Sequence, residues 1–100
     1  MAVVMTMRWT GVTPQQYDTV RELVRWEEDT PAGAHLHVAS FEDGALHVTD
    51  VWESPAHFER FFTDRLAAAI KEAGIEGEPE TRFTPLHRRF IAPGVTGAAS

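Results

Sequence analysis

One hundred residues make one domain, and 43% apolar with 24% charged residues is the balance of a folded globular chain, not a disordered one. Nine basic against fifteen acidic residues leave a net charge of −6, which excludes the basic face that a nucleic-acid or anionic-lipid partner requires. The absence of cysteine removes disulfides, thiolate metal sites, iron–sulfur clusters and cysteine nucleophiles. No apolar run approaches the roughly 20 residues of a membrane span. Residues 1–8 lack the basic start of a signal peptide, so a cytoplasmic protein is expected.

Taken in chain order, residues 2–10 alternate as a strand does, with Val3, Met5, Met7 and Trp9 on one face. Thr13-Pro14-Gln15-Gln16 is a helix start: threonine caps, proline suits the first position and Gln16 completes a capping box. The spacing of Tyr17, Val20, Leu23 and Val24 predicts a helix to about Asp29. Residues 34–42 and 45–53 read as strands joined at Asp43-Gly44, a dipeptide suited to the positive φ of a tight hairpin. Ser54-Pro55 repeats the cap-then-proline start. A second helix is predicted to about Ala73, with Phe58, Phe61, Phe62, Leu66, Ala69 and Ile70 at helical spacing and Gly74 closing it. Residues 80–91 suit a last strand, in which Pro85 demands an edge position or a bulge. Residues 1–91 are thus read as the domain and 92–100 as a flexible tail. The order β-α-β-β-α-β is that of the α+β ferredoxin-like sandwich, one four-stranded antiparallel sheet with both helices on one face.

The hairpin sets a register. With Asp43 and Gly44 as the loop, Phe41 faces Leu46, Ala39 faces Val48, His37 faces Asp50 and His35 faces Trp52. These pairs share one face. Leu36, Val38, Thr49 and Val51 share the other, the small β-branched set on which helices are expected to pack. The Phe41, Leu46, Val48 and Trp52 face would then be a bare apolar patch, so two copies are expected to bring these faces together in a homodimeric barrel enclosing a hollow.

The segment Asp50-Val51-Trp52-Glu53-Ser54-Pro55-Ala56-His57-Phe58 resembles the D-x-W-x-S-x-x-x-F junction of the dimeric α+β barrel superfamily, which includes the antibiotic-biosynthesis-monooxygenase-like proteins. The resemblance implies the fold over roughly residues 2–90. It also implies membership of a group of cofactor-independent oxygenases, haem-degrading enzymes, polyketide cyclases and isomerases. In monooxygenase-like members the strand tryptophan borders the substrate cavity, which maps onto Trp52. The asparagine and arginine of quinone-forming oxygenases have no clean match, and Val48 stands where a polar group is expected.

Chemistry centres on His37 and Asp50. A carboxylate beside an imidazole holds its tautomer and raises its basicity, as a general base requires. In an apolar hollow such a pair removes a C–H or phenolic proton, and the carbanion then reacts with oxygen or closes a ring without a cofactor. Phe41, Val48 and Trp52 are the expected cavity wall, with His35 and His87 as further polar contacts and a small apolar molecule as ligand. Three alternatives stand beside this: a buried structural His–Asp bond in a non-catalytic barrel, an iron site from His35, His37 and Asp50, and haem on His57. The leading expectation needs neither metal nor cofactor. No phosphate loop or nucleophile elbow is present in the sequence.

Overall fold

The computed structural model describes residues 1–97. Its elements are β1 (Val3–Thr10), α1 (Pro14–Val24), β2 (Ala34–Glu42), β3 (Ala45–Trp52), α2 (Pro55–Phe61), a π-helical turn (Phe62–Leu66), α3 (Ala67–Glu72) and β4 (Glu80–Pro85). The four strands form one antiparallel sheet in the order β2-β3-β1-β4. This is the expected sandwich, with the helical layer on one side of the sheet.

Local sequence accounts for most boundaries. The capping box at α1 forms in full: Gln16 N donates to Thr13 Oγ1 at 3.1 Å, and Thr13 N donates to Gln16 Oε1 at 3.0 Å. Asp43 and Gly44 both adopt positive φ, 54° and 72°, and close the hairpin as expected. Ser54 caps α2 through the His57 N–H.

Three boundaries differ from expectation. Helix α1 stops at Val24 instead of Asp29, because Arg25 turns left-handed at φ 61°. This keeps the acidic run Glu27-Glu28-Asp29 off the helix end, where carboxylates meet the negative end of the dipole. The second helix is broken at its centre by the π turn. Arg65, within that turn, donates to Val24 O at 2.9 Å and Asp29 O at 2.8 Å, satisfying carbonyls freed where α1 ends. Strand β4 ends at Pro85, not Ile91. Proline offers no N–H, and one further bond, Leu86 N to Ala2 O at 3.0 Å, closes the pairing. β4 is an edge strand, as Pro85 requires. Residues 86–97 form no helix or strand, and the last three residues of the expected tail lie outside the described residues.

The hairpin register is as expected from Glu42↔Ala45 through His37↔Asp50. Beyond it a bulge between Ala34 and Leu36 sets Ala34, not His35, opposite Trp52.

The faces are the reverse of expectation. Strand β1 pairs with β3 so that Trp9 meets Leu46, Met7 meets Val48, Met5 meets Asp50 and Val3 meets Trp52. This is the face the helices cover: Val20, Val24, Phe58, Phe61 and Ala69 pack into one core with Met5, Met7, Trp9, Leu46, Val48 and Trp52. The set expected beneath the helices is on the other face, with Leu36 39% and Val38 52% exposed and Val51 buried outside the helix-side core. The reason is area. Val3, Met5, Met7 and Trp9 are the large apolar side of a central strand, and burying large side chains is worth about 1.5–3 kcal/mol each. Its other side is Val4, Thr6, Arg8 and Thr10, which suits water. His47, paired with Arg8, therefore also lies on the outer face.

Candidate functional site

The inversion moves the cavity. It lies between sheet and helices of a single chain, with a volume of about 330 Å³, within the range of small-molecule sites. Its floor and walls are apolar, including Met5, Met7, Trp9, Leu46, Val48, Trp52, Phe58, Phe61 and Ile70. Trp9 is held at one end by its indole N–H, which donates to Glu76 O at 3.0 Å. Polar groups gather where Tyr17, Trp26, Glu27, His35, His37 and Asp50 border the same space.

Four of these groups form one chain of hydrogen bonds. Trp52 Nε1–H donates to Asp50 Oδ2 at 3.0 Å, and Asp50 Oδ1 lies 2.7 Å from His37 Nδ1. His37 Nε2 lies 2.7 Å from the Tyr17 hydroxyl. Asp50 is the one buried charged residue among those described, 5% exposed, and it lies on the interior strand β3. Burying a carboxylate is tolerable only with partners, and the indole and imidazole supply both. An ionised Asp50 can only accept, so the bond fixes the His37 proton on Nδ1 and leaves Nε2 as an acceptor for the Tyr17 O–H. No buried side-chain polar atom among the described residues lacks a partner.

Aromatic rings frame the network. Trp26 lies tilted against His37 at 5.3 Å and edge-on to Tyr17 at 5.8 Å. Burial, then the nearby charges of Glu27 and Asp50, push the Tyr17 phenol up to about 12, partly offset by Arg21. Tyr17 therefore stays protonated at neutral pH and acts as a donor. Arg65 braces the mouth from behind through Val24 and Asp29, the two ends of the segment that carries Trp26 and Glu27.

Of the expected site residues, the fold brings His37, Asp50, Val48, Trp52 and His35 to the cavity. His35 occupies the β2 bulge, and its Nε2 is 3.7 Å from Glu53 Oε1. Phe41 does not line the cavity and instead meets the Tyr17 ring edge-on at 6.2 Å. His87 lies beyond the end of β4, exposed and away from the cavity. His35, His37 and Asp50 do not converge as an iron triad: no group of three or more His, Asp or Glu among the described residues is placed to hold a metal. His57 is engaged with the Ser54 hydroxyl at 2.7 Å. Its ring presses on Gly33, where a Cβ would come within 2.5 Å of it, and it does not line the cavity. Sequence spacing placed Tyr17 on the apolar stripe of the first helix. Its hydrogen-bond partner His37 comes from β2, and no local pattern shows that pairing.

No family model matches the chain, and no curated protein does. Solved structures do. The chain is similar to SnoaB, a cofactor-independent oxygenase from Streptomyces nogalater, at 14% identity and TM-score 0.65, over 91% of this chain and 98% of that one. It is similar to the ActVA-Orf6 monooxygenase of Streptomyces coelicolor, solved with nanaomycin D, at 21% identity and TM-score 0.60, over 93% of each chain. It is equally similar to the NE2512 protein of unknown function from Nitrosomonas europaea, at 15% identity and TM-score 0.63, over 93% of this chain and 96% of that one. The resemblance carried by Asp50, Trp52, Ser54 and Phe58 is thus met at the level of the whole fold, which is that of the antibiotic-biosynthesis-monooxygenase-like structures.

Proposed function

We propose that the chain is a small-molecule enzyme acting on an aromatic or polyketide-like compound held between sheet and helices. His37, oriented by Asp50, removes a proton from an enolic, phenolic or activated C–H group, and no cofactor takes part. The resulting electron-rich anion reacts with oxygen or closes a ring. The observation that carries this reading is the hydrogen-bonded His37–Asp50–Trp52 row on the wall of a largely apolar cavity of about 330 Å³. The likeness to a cofactor-independent oxygenase and to a monooxygenase solved with nanaomycin D supports the general kind of chemistry.

The test is oxygen uptake and product analysis with a panel of polyhydroxylated naphthalenes and anthrones. Turnover should be abolished in His37→Ala, and unchanged turnover removes the base assignment. Reaction that continues without oxygen assigns cyclisation or isomerisation instead of oxygenation. A second reading, a non-catalytic carrier, is favoured by one feature: His37 Nε2 already has a partner in Tyr17. A carrier binds members of the panel and turns over none.

The chain also pairs with a second copy through the outer sheet face, in this proposal. Leu36 and Val38 are exposed there and Val4 is partly exposed, whereas Val51 is already buried, and a sheet face with exposed aliphatic side chains is best covered by its own like. The two cavities then lie on the far sides of the paired sheets, one per chain.

A further inference from the structure

His37 cannot meet a substrate directly in the observed arrangement. Its Nδ1–H is committed to Asp50 and its Nε2 to Tyr17, each at 2.7 Å. The Tyr17 hydroxyl, by contrast, has its O–H on His37 and accepts no bond from any described residue. Tyr17 itself lines the cavity. A hydroxyl oxygen that donates one bond still has lone pairs to accept another. The ring planes of Tyr17 and His37 are within 4° of parallel, with Trp26 against both. The pair is thus a braced unit with one open valence.

We propose that Tyr17 is the catalytic group that touches the substrate, and that it relays the substrate's proton to His37. This rests on the function proposed above and deepens it. In the relay the substrate's O–H or C–H bond breaks and its proton joins the Tyr17 oxygen, while the electron pair stays on the substrate. The original Tyr17 O–H bond breaks in the same event, and that proton joins His37 Nε2. The products are a substrate anion, a neutral Tyr17 and an imidazolium facing the Asp50 carboxylate. No oxidant or reductant enters the step. Tyr17 is then positioned as a neutral donor to the new anion, where fixed donors are most effective. Its raised pKa, about 12, fits a group that shuttles protons without residing as a phenolate.

The same geometry selects a substrate class. No Lys or Arg side chain among the described residues lines the cavity, whereas Glu27 and Asp50 do. A carboxylate, phosphate or thioester-nucleotide substrate finds no counter-charge there, and two carboxylates repel it. The substrate is therefore a neutral enol or phenol of roughly bicyclic to tricyclic size, uncharged until its proton leaves.

The experiment uses a mononitrated naphthol, coloured only as its anion and neutral in the assay buffer. Bound to the wild-type protein it should show the anion band. Tyr17→Phe, checked for folding by circular dichroism, should bind it within a few-fold and lose the anion band. His37→Gln should lose the band too. If Tyr17→Phe keeps the band while His37→Gln loses it, the relay is overturned and His37 stands as a direct base. If the wild type leaves the probe neutral, or if both variants still ionise it, the base and the relay fall together. A measurement on the wild type alone covers a Tyr17→Phe chain that does not fold. The rate of probe ionisation in mixtures of light and heavy water should bow with deuterium fraction, because two protons move at once. A linear dependence overturns the relay.

Discussion

The indole N–H of Trp52 donates to Asp50 Oδ2 at 3.0 Å, from two residues along the same strand and the same face. That bond leaves the other carboxylate oxygen for His37, and it links the cavity wall to the acid–base row. Trp52→Phe keeps a ring against Phe58 and Phe61 but leaves one oxygen of a buried carboxylate without its donor. A stranded buried acceptor costs about 1–3 kcal/mol. The denaturation midpoint should fall accordingly, and a midpoint equal to wild type would show that water replaces the indole.

Asp50→Asn preserves shape and removes charge. The asparagine side chain no longer requires the proton on His37 Nδ1, so the tautomer preference set by the carboxylate should be lost. Nitrogen NMR of the His37 ring reads this directly: Nδ1–H in the wild type, a mixture or the other tautomer in the variant. Any proton-transfer rate that depends on His37 should drop by roughly 10²–10⁴.

Tyr17 is the only tyrosine in the chain, so the near-ultraviolet rise of tyrosinate reports it alone. Its pKa is raised from 10.0 to about 12, chiefly by burial. A group whose folded-state pKa exceeds its unfolded value adds stability that is complete below the unfolded pKa and lost as pH rises through the folded one. The stability of the wild type should therefore decline more between those two values than that of Tyr17→Phe. Equal slopes would contradict the burial of the phenol.

Gly33 and Gly44 both hold positive φ, 83° and 72°, but only Gly33 also faces a side chain. A Cβ there would lie 2.5 Å from the His57 ring, while nothing lies within 4 Å of one at Gly44. Gly44→Ala should cost about 1 kcal/mol from backbone strain, and Gly33→Ala distinctly more. Melting curves of the two variants side by side check the order.

Val38→Asp places a charge on the exposed outer face, on the edge strand β2 opposite Thr49. Sedimentation should show the wild type as a two-chain species and the variant as one chain, with probe binding in the cavity retained. A wild type that sediments as a single chain removes the proposed pairing.

The elements were legible because their signals are local. A capping box at Thr13 and Gln16, Asp43-Gly44 at a hairpin tip and the spacing of Phe58 and Phe61 act within a few residues. The His37–Asp50 pair was legible for the same reason, since a two-residue loop sets the register across it. The bulge at His35 lay further from the turn and was not. Nor was the helix end at Arg25, where the remote Arg65 caps the freed carbonyls.

Length, composition and period therefore determined one sandwich with more apolar strand surface than two helices cover. Only tertiary structure decided which surface they cover. Strands β1 and β3 are distant in sequence, and nothing local says whether Met7 pairs beside Val48 or beside Thr49. Once Met5, Met7 and Trp9 share a face with Asp50, Val48 and Leu46, the larger apolar area goes under the helices. Asp50 is carried into the core with it, while His37 stays at the cavity edge with its side chain 33% exposed. Tyr17 and Trp26 then meet His37, so these groups assemble within one chain.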